Sequence, residues 1–134
     1  MESLVIETGR KRLCLNGDEN RILEFNPQDM KTRKRFYEAS QKVFEKQREF
    51  DIKIQQLKED DVEGVFKFEQ ETFDMMKELV DNAFGKGTAE LVTNGDTDVF
   101  ALCNFLVAIA PYFKEIAEKQ KNKYTDGLKS AGII

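Results

Sequence analysis

Histidine and tryptophan are both missing from this chain, and cysteine and proline occur only twice each. Without histidine there is no imidazole to serve as a general base near neutral pH. Ser-His-Asp and Cys-His catalytic arrangements are therefore excluded, as is any zinc site that needs a histidine ligand. Two cysteines cannot build a four-thiolate site. Cys14 and Cys103 stand far apart, one in an expected strand and one in an apolar helix. They read as buried small hydrophobes in a reducing cytosol rather than as a disulfide framework. Long hydrophobic runs are missing too. The most apolar window, 99–113, is interrupted by Asn104 and Pro111 and falls short of a membrane span. The opening "MESLVIETGRK" carries no basic-then-apolar signal segment. A cytoplasmic protein with no membrane partner is the expectation.

Charge of one sign is scarce as well. The 25 acidic and 21 basic residues leave a net charge of −4, which keeps a protein soluble without a strong field. Nonspecific nucleic-acid binding is therefore not expected. The local exception is Lys31, Arg33, Lys34 and Arg35, which reads as a solvated helix face. Phenylalanine, by contrast, is plentiful, with 11 residues against 3 tyrosines. Its ring cannot hydrogen-bond through a polar handle, so most of these rings should be core or partner-facing anchors.

At 134 residues the chain reads as one domain, long enough to bury about two thirds of its unfolded surface. Asn16-Gly17 is a strong hairpin signal, because both central positions of a type I′ turn need positive φ. On one side of it, Leu13 and Leu15 share a face. On the other, Leu23 and Phe25 do, with Ile22 and Glu24 opposite. "LVIET" is a candidate third strand, turned back by Gly9-Arg10. The expected β-element, 1–25, is thus a hairpin or a three-stranded meander.

Asn26-Pro27 switches the chain to helix: Asn can cap, and Pro suits the first helical position. Phe36, Ser40, Val43, Gln47, Phe50, Ile54 and Leu57 then recur at alternating four- and three-residue spacing. Tyr37 and Phe44 extend that stripe sideways. A second helix starts at Asp60 or Asp61, where Asp60 and Glu63 make a relative of the capping box. Its stripe runs through Val62, Phe66, Phe73, Met76 and Val80 to Phe84, and Gly85 is placed to take a left-handed cap. A loop with a short helical turn at "TAELV" follows. Asp96, Thr97 or Asp98 caps the third helix, which is apolar nearly all round to Phe113 and so is expected at the centre. Pro111 should bend it.

The spacing predicts helices near 27–58, 61–84 and 97–122. The fold class is mainly α (α+β): a β-hairpin or meander followed by a three-helix bundle over 26–124, with 125–134 frayed. Leu102, Phe105, Leu106, Ile109 and Phe113 should form the core, packed by Phe66, Phe73, Met76 and Val80.

Candidate chemistry fails on inspection of the motifs. "GKGT" at 85–88 lacks the rest of a phosphate loop and has no strand before it. "NGDEN" and "NGDTD" do not continue as the twelve-residue calcium pattern. Asp60 and Asp61 read as helix caps rather than an acid/base pair. Basic and aromatic residues mix in "RKRFYEASQKVF", but at helical spacing the rings fall on the apolar stripe rather than on a base-stacking surface. No catalytic, cofactor or metal site is expected, and the chain reads as a non-enzyme. The first helix carries more apolar length than its neighbours need, so Tyr37, Phe44 and Phe50 are candidate partner-binding residues. Leftover apolar surface around Tyr37 and Phe44 would also support a homo-oligomer.

Taken in order, "FNPQD" opening a helix, "RFYEASQKVFEK" along it, "LVDNAFGKGTAELV" and "FLVAIAPYFKEIAEKQKNKY" resemble a family of tail assembly chaperones. These come from tailed phages and prophages of Gram-positive bacteria. The likeness spans nearly the whole chain. It implies a non-enzymatic protein of the host-cell cytoplasm that binds the tape-measure protein, and possibly other tail proteins, during tail morphogenesis. A structural tail or head–tail component retained in the virion, or a generic protein-interaction domain, is the alternative. An unusual enzyme or a nucleic-acid binder stands further off.

Overall fold

The computed structural model describes residues 1–57 and 61–132. Two strands, β1 (Lys11–Leu15) and β2 (Asp18–Phe25), precede four helices: α1 (Met30–Gln56), α2 (Val62–Phe84), α3 (Thr88–Thr93) and α4 (Val99–Ser130). The class is as expected, mainly helical with a leading hairpin, although the described residues hold four helices and not three.

The strands pair antiparallel with Leu13 opposite Leu23 and Lys11 opposite Phe25. Asn16 and Gly17 take φ of 54° and 75°, the paired positive values that a type I′ turn requires. Leu23 and Phe25 are buried, so the hairpin rests its apolar face on the helices, as a sheet this small must. Cys14 lies on the opposite face and is exposed, which corrects the expectation that both thiols are buried. The third strand is absent among the described residues. Residues 1–10 have no regular structure, Gly9 does not take a positive φ, and it lies so close to the Gln28 side chain that a Cβ there would clash.

The α1 start also differs in detail. Asp29, not Asn26, is the N-cap, accepting from the Thr32 N–H at 3.1 Å. Asn26 instead accepts from the Gln28 N–H at 2.9 Å, making a turn that tucks Pro27 fully inside. Asp61 caps α2 through the Gly64 N–H; the expected contribution of Asp60 lies outside the described residues. Gly85 ends α2 at φ 116°, ψ 151°, a glycine conformation but not the left-handed one anticipated. Asp98 is the cap of α4, and the helix runs to Ser130 rather than ending near 122.

The core gathers where β2, α1, α2 and α4 meet. Phe36 stacks on Phe113 with ring centroids 4.3 Å apart, Phe25 sits 5.7 Å from Phe113, and Phe84 lies edge-on to Phe105 at 5.1 Å. Leu102, Phe105, Leu106, Ile109, Phe113, Phe73, Met76 and Val80 are all buried as expected. Phe66 is not: it is 65% exposed. It lies one heptad before Phe73 on the same stripe, near the start of α2.

Tertiary contacts pin the short α3 at both ends. The Asp81 carboxylate accepts from the Ala89 N–H at 2.8 Å in its first turn, and Arg21 of β2 donates to the Leu91 and Val92 carbonyls at 2.7 and 2.9 Å. Anion at the start and cation at the end both complement the helix dipole.

Candidate partner-binding surface

The buried heptad of α1 is Phe36, Val43 and Phe50; that of α4 is Val99, Leu106 and Phe113. One residue past the first two members of each row lies an exposed apolar side chain. Tyr37 and Phe44 follow on α1, and Phe100 and Val107 follow on α4, between 37% and 60% exposed. A single-residue step is about 100° round a helix, so each exposed pair sits beside its buried row rather than behind it.

The two helices run antiparallel: Phe36 meets Phe113, while Asp51 is close enough to Cys103 for its charge to act on the thiol. In an antiparallel pair, turns of the same sense on both helices lead to the same side of the seam. Tyr37, Phe44, Val107 and Phe100 therefore border one seam as an apolar strip. Its α4 half was not anticipated, because α4 was expected to be buried nearly all round. The signal was present in the sequence as a heptad pair, but only the covering elements decide which of two apolar rows stays outside.

Of the three expected partner-binding residues, Tyr37 and Phe44 are on this strip. Phe50 is not: it is buried, 7% exposed, with its ring stacked 5.8 Å from Phe68. Its stripe position points it at α2, so it holds the helix pair together and is unavailable to a partner.

Elsewhere the chemistry is thin. A cavity of about 390 Å³ is bordered by Arg21 and Glu90, but the Arg21 guanidinium is committed to the α3 carbonyls. A second, about 360 Å³, opens between the hairpin tip, α3 and α4 with Asn16 and Asn104 as its polar side chains; it offers no titratable group. Among the described residues no three His, Cys, Asp or Glu side chains cluster as a metal site. Burial pushes the Cys103 thiol up to about 11, and the Asp51 carboxylate adds to the shift, so Cys103 is held as an unreactive thiol.

By length and composition α4 could also cross a membrane, over a window longer than the one read from the sequence, and 44% of that window is buried inside the protein. Leu102, Leu106, Ile109 and Phe113 make it the inner helix of the core, which accounts for its apolarity without a bilayer. Compared with known family models, curated proteins and solved structures, the chain gives no match.

Proposed function

We propose that this protein is a non-enzymatic assembly chaperone of a tailed phage or prophage, covering an apolar helical segment of the tape-measure protein in the host cytoplasm. The observation that carries the reading is the strip along the α1–α4 seam, where Tyr37 with Phe44 and Phe100 with Val107 repeat at heptad spacing. An amphipathic helix presents its own apolar residues at that spacing and can lie along such a seam. The resemblance of its ordered motifs to those of tail assembly chaperones supports the same partner. No cofactor or metal enters the role.

Coexpression tests it. The protein should raise the soluble fraction of the tape-measure protein and copurify with it. Phe44→Glu and Val107→Glu should abolish both effects while leaving the circular dichroism spectrum unchanged, because both side chains are exposed. Phe50→Glu is not a surface test, since a buried carboxylate there would unfold the helix pair. A well-folded protein that leaves the tape measure insoluble and unbound overturns the reading. Its presence at fixed copy number in purified particles would make it a virion component instead.

A further inference from the structure

Leu4, Val5 and Ile6 are 85%, 88% and 72% exposed, three consecutive strand-favouring apolar residues with nothing over them. A few residues later β1 forms one side of a sheet of only two strands, and such a sheet gains stability from a third. Of the two strands, β2 is the one tied to α3, through Arg21; among the described residues β1 pairs with β2 alone. Its other edge therefore carries unpaired backbone donors and acceptors.

We propose that residues 3–8 of one copy add as a third strand to the β1 edge of a second copy. The pairing is specified by pattern and charge. Running antiparallel with Glu7 opposite Arg12, the segment places Ile6 and Leu4 beside Leu13 and Leu15, the core-side residues of β1. Val5 then lies beside Cys14 on the outer face. Residues 1–8 carry Glu2 and Glu7 and no basic side chain, whereas residues 10–12 are Arg10, Lys11 and Arg12; opposite charges across neighbouring strands stabilise the pair.

The same register could close within one chain only through a tight turn at Gly9-Arg10. That turn needs Gly9 at positive φ, and Gly9 does not adopt it. Gly9 instead lies against the Gln28 side chain, and residues 4–6 stay exposed rather than folding onto their own β1. A strand released at a short hinge, with its matching edge unfilled, is the arrangement from which identical elements exchange between copies. This pairing uses the sheet, not the α1–α4 seam, and stands independently of the tape-measure reading.

Cys14 supplies the probe, being exposed while Cys103 is buried. Cross-strand neighbours sit about 4.5–5.5 Å apart between Cα atoms, within the span of a disulfide. Full-length Val5→Cys protein, mildly oxidised with glutathione disulfide, should yield covalent dimers whose peptide map joins position 5 of one chain to Cys14 of the other. The parent chain treated alike should give few. In sedimentation the parent should associate, and Val5→Pro, which removes a ladder N–H from an exposed segment, should return the mass to the monomer value with helical content unchanged. A 5-to-14 link formed within single chains, no link at all, or association untouched by Val5→Pro would each overturn the proposal.

Discussion

At one end of the α1–α2 pair the rings of Phe36 and Phe84 meet Phe25 from the hairpin and Phe113 from α4. At the other end Phe50 meets Phe68, with Lys53 above that ring, and Ile52, Val62 and Phe66 stay exposed. Both ends obey the same helical period. What differs is the number of elements contributing rings. An amphipathic stripe is an offer of burial, and it is taken up only where a third and fourth element come to cover it.

That difference should be measurable in stability. Phe113→Ala removes a fully buried ring shared by three neighbouring aromatic side chains. It should cost about 3–5 kcal/mol, a large fraction of a small domain's total stability. Phe50→Ala should cost less, about 3 kcal/mol at the low end for a buried ring, because the site is bordered by fewer elements and can collapse. Native-state hydrogen exchange should also show residues 46–56 and 62–70 opening at lower free energy than 34–43 and 76–84. Equal costs for the two truncations, with uniform exchange, would mean that both ends form one cooperative unit.

The pin on α3 belongs to the covered end and ranks next. Asp81 is half-buried, and its carboxylate accepts from the Ala89 N–H at 2.8 Å. Asp81→Ala should cost about 1.5–2 kcal/mol, as expected for a hydrogen bond to a charged group. The loss should be seen as faster exchange in α3 and no change at the Phe50–Phe68 end. Simultaneous loosening of the distal end would contradict the separation.

Much of this fold was legible in the chain. The Asn16-Gly17 turn needs no tertiary context, since its φ values follow from residue type. The rows Phe36–Val43–Phe50 and Phe73–Val80 follow from a period. Phe66 shows where that reasoning stops: it belongs to the same row as Phe73, one heptad away, and is exposed because covering depends on partners far along the chain. The short α3 was legible as a helical turn at "TAELV"; what the chain did not show is that its ends are held by Asp81 and Arg21 from other elements. On the candidate surface, Tyr37 and Phe44 were legible as the sideways extension of a stripe. Phe100 and Val107 were hidden inside a helix apolar on most of its circumference, where sequence alone does not say which row faces inward.

Acid should touch the covered end through its carboxylates. The Thr32 hydroxyl, with help from the Thr32 N–H, holds Asp29 below its ordinary value. A hydrogen bond from Arg10, reinforced by its charge, does the same for Glu24. Each folded-state value lies below the unfolded one. Their stabilisation is therefore complete above the unfolded values, about 4, and is lost as pH falls through the lower folded values. Tm should decline as the pH drops below about 4, and Asp29→Ala should flatten part of that decline while lowering Tm at neutral pH. A profile unchanged by the substitution would show that the α1 cap contributes nothing to acid sensitivity.

The smallest expected effect runs in the opposite direction. Thr72 and Thr93 lie within helices and donate their hydroxyls to the carbonyls of Phe68 and Ala89, four residues back, at 2.9 and 3.0 Å. Ser40, between Phe36 and Val43 on the buried side of α1, has its Oγ buried without a hydrogen-bond partner. An unmet hydroxyl keeps its desolvation cost in the folded state, and alanine is the better helix former by a few tenths of a kcal/mol. Ser40→Ala should therefore stabilise the protein by about 0.5–1 kcal/mol, raising the urea midpoint with the slope m unchanged. Because Ser40 sits at the covered end, the gain should appear in global unfolding and not merely in local exchange of α1. A loss of stability would show that the hydroxyl is satisfied in solution, and a gain confined to the distal half of α1 would place the boundary between the two ends nearer the core than Phe50.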